Sequence, residues 1–213
     1  MSIAKQFSNL VQSLKKDSIT NKNSASIPAV ELLQRAARCY VIEGWADDAC
    51  RLFDTLGDDR SAAPYHERLG RFYVAAQCYY RVSEWQNAAR CFLKCDQKKE
   101  AALCLEKCGE TIQAGWIWAN DVHQYYHARN LIQNFAPQNI TDEIAAELIL
   151  TRCDAGLDSF DQAGKKLRKV IVRIFETENQ AQFSTFKDWM LVIADTIGRP
   201  DLYGYVFKMF EVD

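Results

Sequence analysis

AARCYVIEGWADDACRLF (residues 36–53), AAQCYYRVSEWQNAARCF (75–92) and AALCLEKCGETIQAGWIW (101–118) align without a gap. Each opens on a small pair, Ala36 and Ala37, Ala75 and Ala76, or Ala101 and Ala102, followed by Cys39, Cys78 or Cys104 and then Tyr40, Tyr79 or Leu105. A turn residue follows in register at Gly44, Ser83 or Gly109. Five positions later stands Ala49, Ala88 or Ala114, and four further on a large aromatic, Phe53, Phe92 or Trp118. A helix brings i, i+3 and i+4 to one face, so each copy predicts two helices joined by a turn. The small residues let paired backbones approach to about 8–10 Å, and the rings wedge against the next copy. One hairpin cannot bury that face alone, so the copies must stack. Copies two and three, starting at 75 and 101, are 26 residues apart, whereas copies one and two, starting at 36 and 75, are 39 apart. The excess falls in DTLGDDRSAAPYHERLG (54–70), where Pro64 is expected to open a longer helix at its first turn.

Working outward, the composition agrees with an all-α fold. The chain has 213 residues, 48% apolar and 25% charged, enough to bury a core. Nine Gly and four Pro leave little punctuation for the tight turns of a sandwich or barrel. Lys and Arg number 26 against 28 Asp and Glu, so no whole-protein field gathers nucleic acid or anionic membrane. Apolar runs are short and the opening MSIAKQFSNLVQSLKKD carries charges throughout, which predicts no membrane span and no secretory signal. The expected location is intracellular, in the cytoplasm, with the eight Cys as reduced thiols rather than a disulfide frame.

The order of small pair, aromatic, turn Gly, Ala and aromatic resembles the tetratricopeptide repeat, and its short-period form resembles the degenerate helical solenoids of coatomer and intraflagellar-transport subunits. The resemblance covers about residues 28–135. The chain differs from that pattern in lacking a Pro at the end of the first three units, in its uneven intervals and in having no Trp near the start of the first helix. The resemblance implies an α-solenoid of stacked antiparallel hairpins over 28–135, preceded by a helix and polar loop over 1–27. Over 136–213, further helices either continue the solenoid or form a small bundle. It also implies a concave groove lined by the first helix of each hairpin. By register these positions are Gln34, Arg38, Val41 and Ile42, then Tyr73, Gln77, Tyr80 and Arg81, then Lys99, Leu103, Glu106 and Lys107. Aromatic, amide and cationic groups of this kind suit a peptide or helix of acidic character. Gln34 and Arg38 stand where a chaperone-type carboxylate clamp would need Lys and Asn, so a chaperone C-terminus is not the expected ligand.

Beyond the repeats, Ile3, Phe7, Leu10, Val11 and Leu14 form a helical stripe, and SITNKNSASIP (18–28) reads as a loop. After APQNI (136–140), Thr141 begins a helix through about Asp154, with Gly156 in the position of a C-terminal Gly. Ser159 and Gln162 form a capping-box pattern opening a helix to about Thr177. Further helices are expected over about 183–196 and over DLYGYVFKMF (201–210).

Three constellations carry possible chemistry. Cys91, Cys95, Cys104 and Cys108 form two i, i+4 pairs, and His123 and His127 add a third, so a structural zinc site is conceivable; core packing is the preferred reading, since Cys39, Cys78 and Cys104 share one repeat position. HQYYH (123–127) lacks the Glu of a metalloprotease. Lys165, Lys166, Arg168, Lys169 and Arg173 form a basic amphipathic helix able to meet phosphate or an acidic partner, or simply to face water. No phosphate loop or nucleophile elbow is present, so an enzyme is not expected and no cofactor is called for. The leading expectation is a non-catalytic scaffold or adaptor for another protein. The alternatives are a nucleic-acid-associated or regulatory module using helix 165–173, and a zinc-stabilised helical protein.

Overall fold

The computed structural model describes residues 27–177 and 180–210, and every regular element among them is helical. The stripe of Ile3, Phe7, Leu10, Val11 and Leu14 lies outside the described residues. Packing divides the chain into two units, one ending at Gln97 and one beginning at Lys98.

The first unit contains α1 (Ile27–Ile42), α2 (Ala46–Leu56), α3 (Asp59–Arg68), α4 (Phe72–Arg81) and α5 (Trp85–Lys94), each packed on the next in the chain. Its sequence period is one helix long, so each expected hairpin consists of two successive periods. Ala36, Ala49, Ala62, Ala75 and Ala88 recur every thirteen residues, each followed by Ala or Cys, and all ten side chains are buried. Large rings recur at the same interval at Tyr40, Phe53, His66, Tyr79 and Phe92, again all buried. So do the residues with left-handed backbone: Gly44, Gly57, Gly70, Ser83 and Asp96.

One residue per helix couples these two series. The carbonyl of Tyr40 accepts from the N–H of Trp45 at 2.8 Å, and the carbonyls of Phe53, His66, Tyr79 and Phe92 accept from Asp58, Arg71, Glu84 and Gln97 at 2.9–3.0 Å. This is the bond that closes a helix end around a left-handed residue. The ring that wedges between helices therefore also stands where each helix stops, which fixes packing and chain reversal together.

The thirteen-residue period corrects the reading of the first interval. Both 26 and 39 are multiples of thirteen, and the apparent excess is a complete helix, α3, with its own small pair at Ala62 and Ala63. Pro64 does not open it but lies inside it. Asp58 starts the helix earlier, its carboxylate accepting from the Ser61 N–H at 3.2 Å. Ion pairs then join helices two apart: Glu67 on α3 holds Arg90 and, at 3.0 Å, Lys94 on α5. Alternate helices thus present side chains to one another along the same side of the unit.

In the second unit α6 (Lys98–Cys108) and α7 (Thr111–Asn120) keep the pattern, with Ala101, Ala102, Ala114 and Gly115 as small pairs and Leu105 and Trp118 as large residues. The period slips by one after α7, where the left-handed residue is His123, and α8 (Tyr125–Gln133) follows. The longer α9 (Ile140–Gly156) and α10 (Phe160–Phe175) come next, then a 3-10 turn at Gln180–Phe186, α11 (Lys187–Thr196), a 3-10 turn at Pro200–Leu202 and α12 (Tyr203–Phe210). These elements enclose one core of Ile144, Leu148, Leu167, Val170, Phe183, Met190, Ile193 and Val206, so this end of the unit is a bundle.

Two local expectations are corrected here. Gly156 is the last residue of α9, and the left-handed residue is Asp158. Gly156 is required for another reason: a Cβ there would fall 2.2 Å from the Tyr125 ring. The capping box is not formed, since the Ser159 side chain makes no capping bond to α10. Asn139 does cap α9, its side-chain oxygen accepting from the Asp142 N–H at 2.8 Å.

Candidate functional site

The first four of the expected groove residues meet. Gln34, Arg38, Val41 and Ile42 on α1 line a depression of about 550 Å3, closed on the other side by Phe53 of α2 and by Pro64 and Tyr65 of α3. Phe53 and Tyr65 stack at 5.8 Å and form an apolar floor. Ile42 at the lip is 84% exposed, an unusual place for so large an apolar group. Arg38 is exposed and has no ion pair among the described residues. The nearby Asp58 is engaged in capping α3.

The remaining groove candidates are placed elsewhere. Tyr73, Gln77, Tyr80 and Arg81 lie on α4, three helices after α1, because the repeating element is one helix and matching 36 to 75 crosses an odd number of them. Tyr73 packs edge-on against Phe92 and Tyr80 edge-on against Trp85. Arg81 is held by Asp59 through two hydrogen bonds of 2.6 and 2.5 Å and also donates to Cys78 Sγ at 3.3 Å. Lys99, Leu103 and Lys107 lie exposed on α6 of the second unit, and Glu106 there accepts from the Trp118 indole and meets His127 at 2.8 Å.

The cysteine and histidine candidates lie among packing contacts and local bonds. Cys91 and Cys104 are buried at the repeat position they share with Cys39 and Cys78, and burial pushes both thiols up to about 11. Cys95 donates to the Cys91 carbonyl and Cys108 to the Leu105 carbonyl, both at 3.3 Å. His123 meets Tyr125, and His127 packs edge-on against Trp118. A different group comes together: Asp54 on α2, His66 on α3 and Cys78 on α4, with their potential ligand atoms within 4.8 Å of one another. None of the three stands out as a site in the sequence until the thirteen-residue period is read. His66 then appears at the position filled by Tyr or Phe in the neighbouring helices.

The chemistry of this trio is not that of a cysteine nucleophile. Cys78 is fully buried, and burial together with the adjacent Asp59 carboxylate pushes its thiol up to about 11. An activated thiol needs the opposite shift. Asp59 itself is held below the usual aspartate range by its bonds to Arg81, against an upward push from burial.

The basic helix is largely tied down. Lys166 binds the buried Asp154 at 2.6 Å, Arg173 binds Glu143 and, at 2.9 Å, Glu147, and Arg168 approaches Asp201 at 3.6 Å. Lys165 and Lys169 stay exposed without an ion pair among the described residues. Two separated cations make a weak phosphate-tracking surface.

The elements and their packing define an all-helical protein of the helical-repeat class, and no described helix is long and apolar enough to cross a membrane. No family of known proteins, no curated protein and no solved structure matches the chain.

Proposed function

We propose that the chain is a non-catalytic scaffold that binds an extended peptide or amphipathic helix of acidic character from another protein, in the groove between α1 and α3. The observation that carries this reading is the pairing of an apolar floor, Phe53 and Tyr65, with the uncommitted cation Arg38 and the exposed Ile42 at its lip. An apolar side chain of the ligand fills the depression, and an adjacent carboxylate meets Arg38 by a planar two-point contact. The likeness to tetratricopeptide solenoids supports the same use of the surface. It extends to the stacked small pairs and rings, although the element here is a single thirteen-residue helix.

The test is parallel capture from native lysate on wild-type protein and on Arg38→Glu, with Lys165→Glu as the control. Arg38→Glu should lose the captured protein at unchanged thermal stability, since Arg38 has no ion pair among the described residues, while Lys165→Glu retains it. Identical capture by all three proteins would remove the α1–α3 groove from consideration.

A further inference from the structure

His66 departs from its repeat in a way that packing does not require. Tyr40, Phe53, Tyr79 and Phe92 fill the equivalent positions with rings that need at most one polar contact, and all are buried. At position 66 the ring is an imidazole, 3% exposed. One nitrogen, Nε2, lies 3.0 Å from Asp54 Oδ1, and the other, Nδ1, is buried with no partner among the described residues. A buried polar atom without a partner pays its full desolvation cost, so an apolar ring would serve packing better. The imidazole faces two further donors of the kind that bind transition metals, a carboxylate from α2 and a thiol from α4.

We infer that Asp54, His66 and Cys78 bind one divalent cation of the zinc type, with its fourth position open on the Asp54 side. The donor set is a carboxylate oxygen, an imidazole nitrogen and a thiolate, the mixture that selects zinc over calcium or magnesium. Tetrahedral zinc holds such atoms roughly 3–4 Å from one another, and here they already lie within 4.8 Å. Only side-chain adjustment is needed, because the three residues come from successive helices whose register the small pairs and left-handed turns fix. The Asp54 side chain is about half exposed and the His66 side chain is not, so the cation enters past Asp54. On binding, the metal replaces the thiol proton, which leaves to solvent, and the imidazole binds as its neutral form. Arg81 then donates its existing 3.3 Å bond to the thiolate from the outer shell. Its own charge is balanced by Asp59 at 2.5 Å, so two anionic ligands face a doubly charged ion without an uncompensated cation beside it.

Reduced, chelator-stripped full-length protein is titrated with Zn2+ and, separately, with Co2+. One equivalent of zinc should remain after desalting and raise the thermal midpoint. The cobalt form should show a thiolate charge-transfer band. Cys78→Ser and His66→Gln should each weaken zinc binding by about a hundredfold or more, and Cys108→Ser, which alters an exposed thiol, should leave it unchanged. His66→Phe keeps the proposal testable should the polar variants fold poorly. It restores the ring type of the neighbouring helices, so it should fold at least as stably as the stripped wild type and hold no metal. Substoichiometric zinc in the wild type, or wild-type zinc affinity in His66→Phe, would overturn the site.

Discussion

In the first unit the buried centre is made of Ala36, Ala37, Ala49, Cys50, Ala62, Ala63, Ala75 and Ala76, with one large ring per helix between them. At the far end of the second unit it is made of Ile144, Leu148, Leu167, Phe183, Met190 and Ile193, branched or long side chains meeting from several directions. The two regions are both close-packed, but by different routes: the first by bringing short backbones together, the second by filling the space between longer helices with side chains. The difference predicts opposite vulnerabilities. A core of alanines has little to lose by truncation and no room to grow, and a core of large residues loses most when a side chain is cut away.

Truncation in the bundle should give the largest effect. Leu148→Ala or Phe183→Ala removes a fully buried side chain and leaves a cavity, which costs about 3–5 kcal/mol. Enlargement in the first unit comes next: Ala76→Val, at a fully buried site between helix backbones, should cost about 1–3 kcal/mol. Chemical denaturation with equilibrium fitting measures both. The comparison breaks if Ala76→Val is silent, since the short helices would then not be held together through their small residues.

The sequence disclosed the first region far better than the second for the same physical reason. Small pairs at a fixed interval leave a signature that gapless alignment detects, and stacked helices follow from it. The alignment nevertheless passed over α3. The residue after its small pair is Pro64, where the neighbouring helices have Arg38, Arg51, Gln77 and Arg90, its ring is His66 rather than Tyr or Phe, and both disguise an otherwise regular helix. With α3 unread, the grouping of Asp54, His66 and Cys78 and the row on which Tyr73 and Arg81 lie are hidden as well. In the bundle, Leu148, Phe183 and Met190 belong to one core drawn from elements of unequal length, so no interval encodes their meeting. Gly156 shows the limit at a single residue. A Gly at a helix end reads as a left-handed cap, and only the position of Tyr125 from another helix reveals that the missing Cβ is what matters.

The left-handed turns sharpen the comparison at a smaller scale, because the first unit uses them at every helix end. Gly57 and Gly70 have φ of 67° and 72°, with open space where a Cβ would stand, so Gly70→Ala isolates backbone strain and should cost about 1–2 kcal/mol. Ser83 and Asp96 adopt the same backbone at φ of 61° and 59° with a side chain present. Ser83→Gly should therefore move stability the other way, by about 0.5–1 kcal/mol in the stabilising direction. Thermal unfolding of the two variants beside wild type decides it, and a destabilised Ser83→Gly would show that the serine side chain contributes more than its backbone costs.

The smallest expected effect is titration of the ion pairs that join alternate helices. Burial pushes the Glu67 carboxyl up, but hydrogen bonds from Arg90 and Lys94 outweigh it and hold the group below its ordinary value of 4.5. A carboxylate whose folded value lies below its unfolded one binds more protons when unfolded. Its contribution is therefore complete above the unfolded value and is lost as pH falls through the folded one. The exposed cation partners keep that contribution modest, within about 1 kcal/mol for a pair in which Arg90 and Lys94 are about half open to water. Glu67→Gln should accordingly be slightly less stable than wild type at neutral pH and should lose less stability than wild type on acidification from neutral to below pH 4.5. Parallel pH titration curves for the two proteins would show that the link between α3 and α5 adds nothing, leaving the small pairs and rings to hold alternate helices in line.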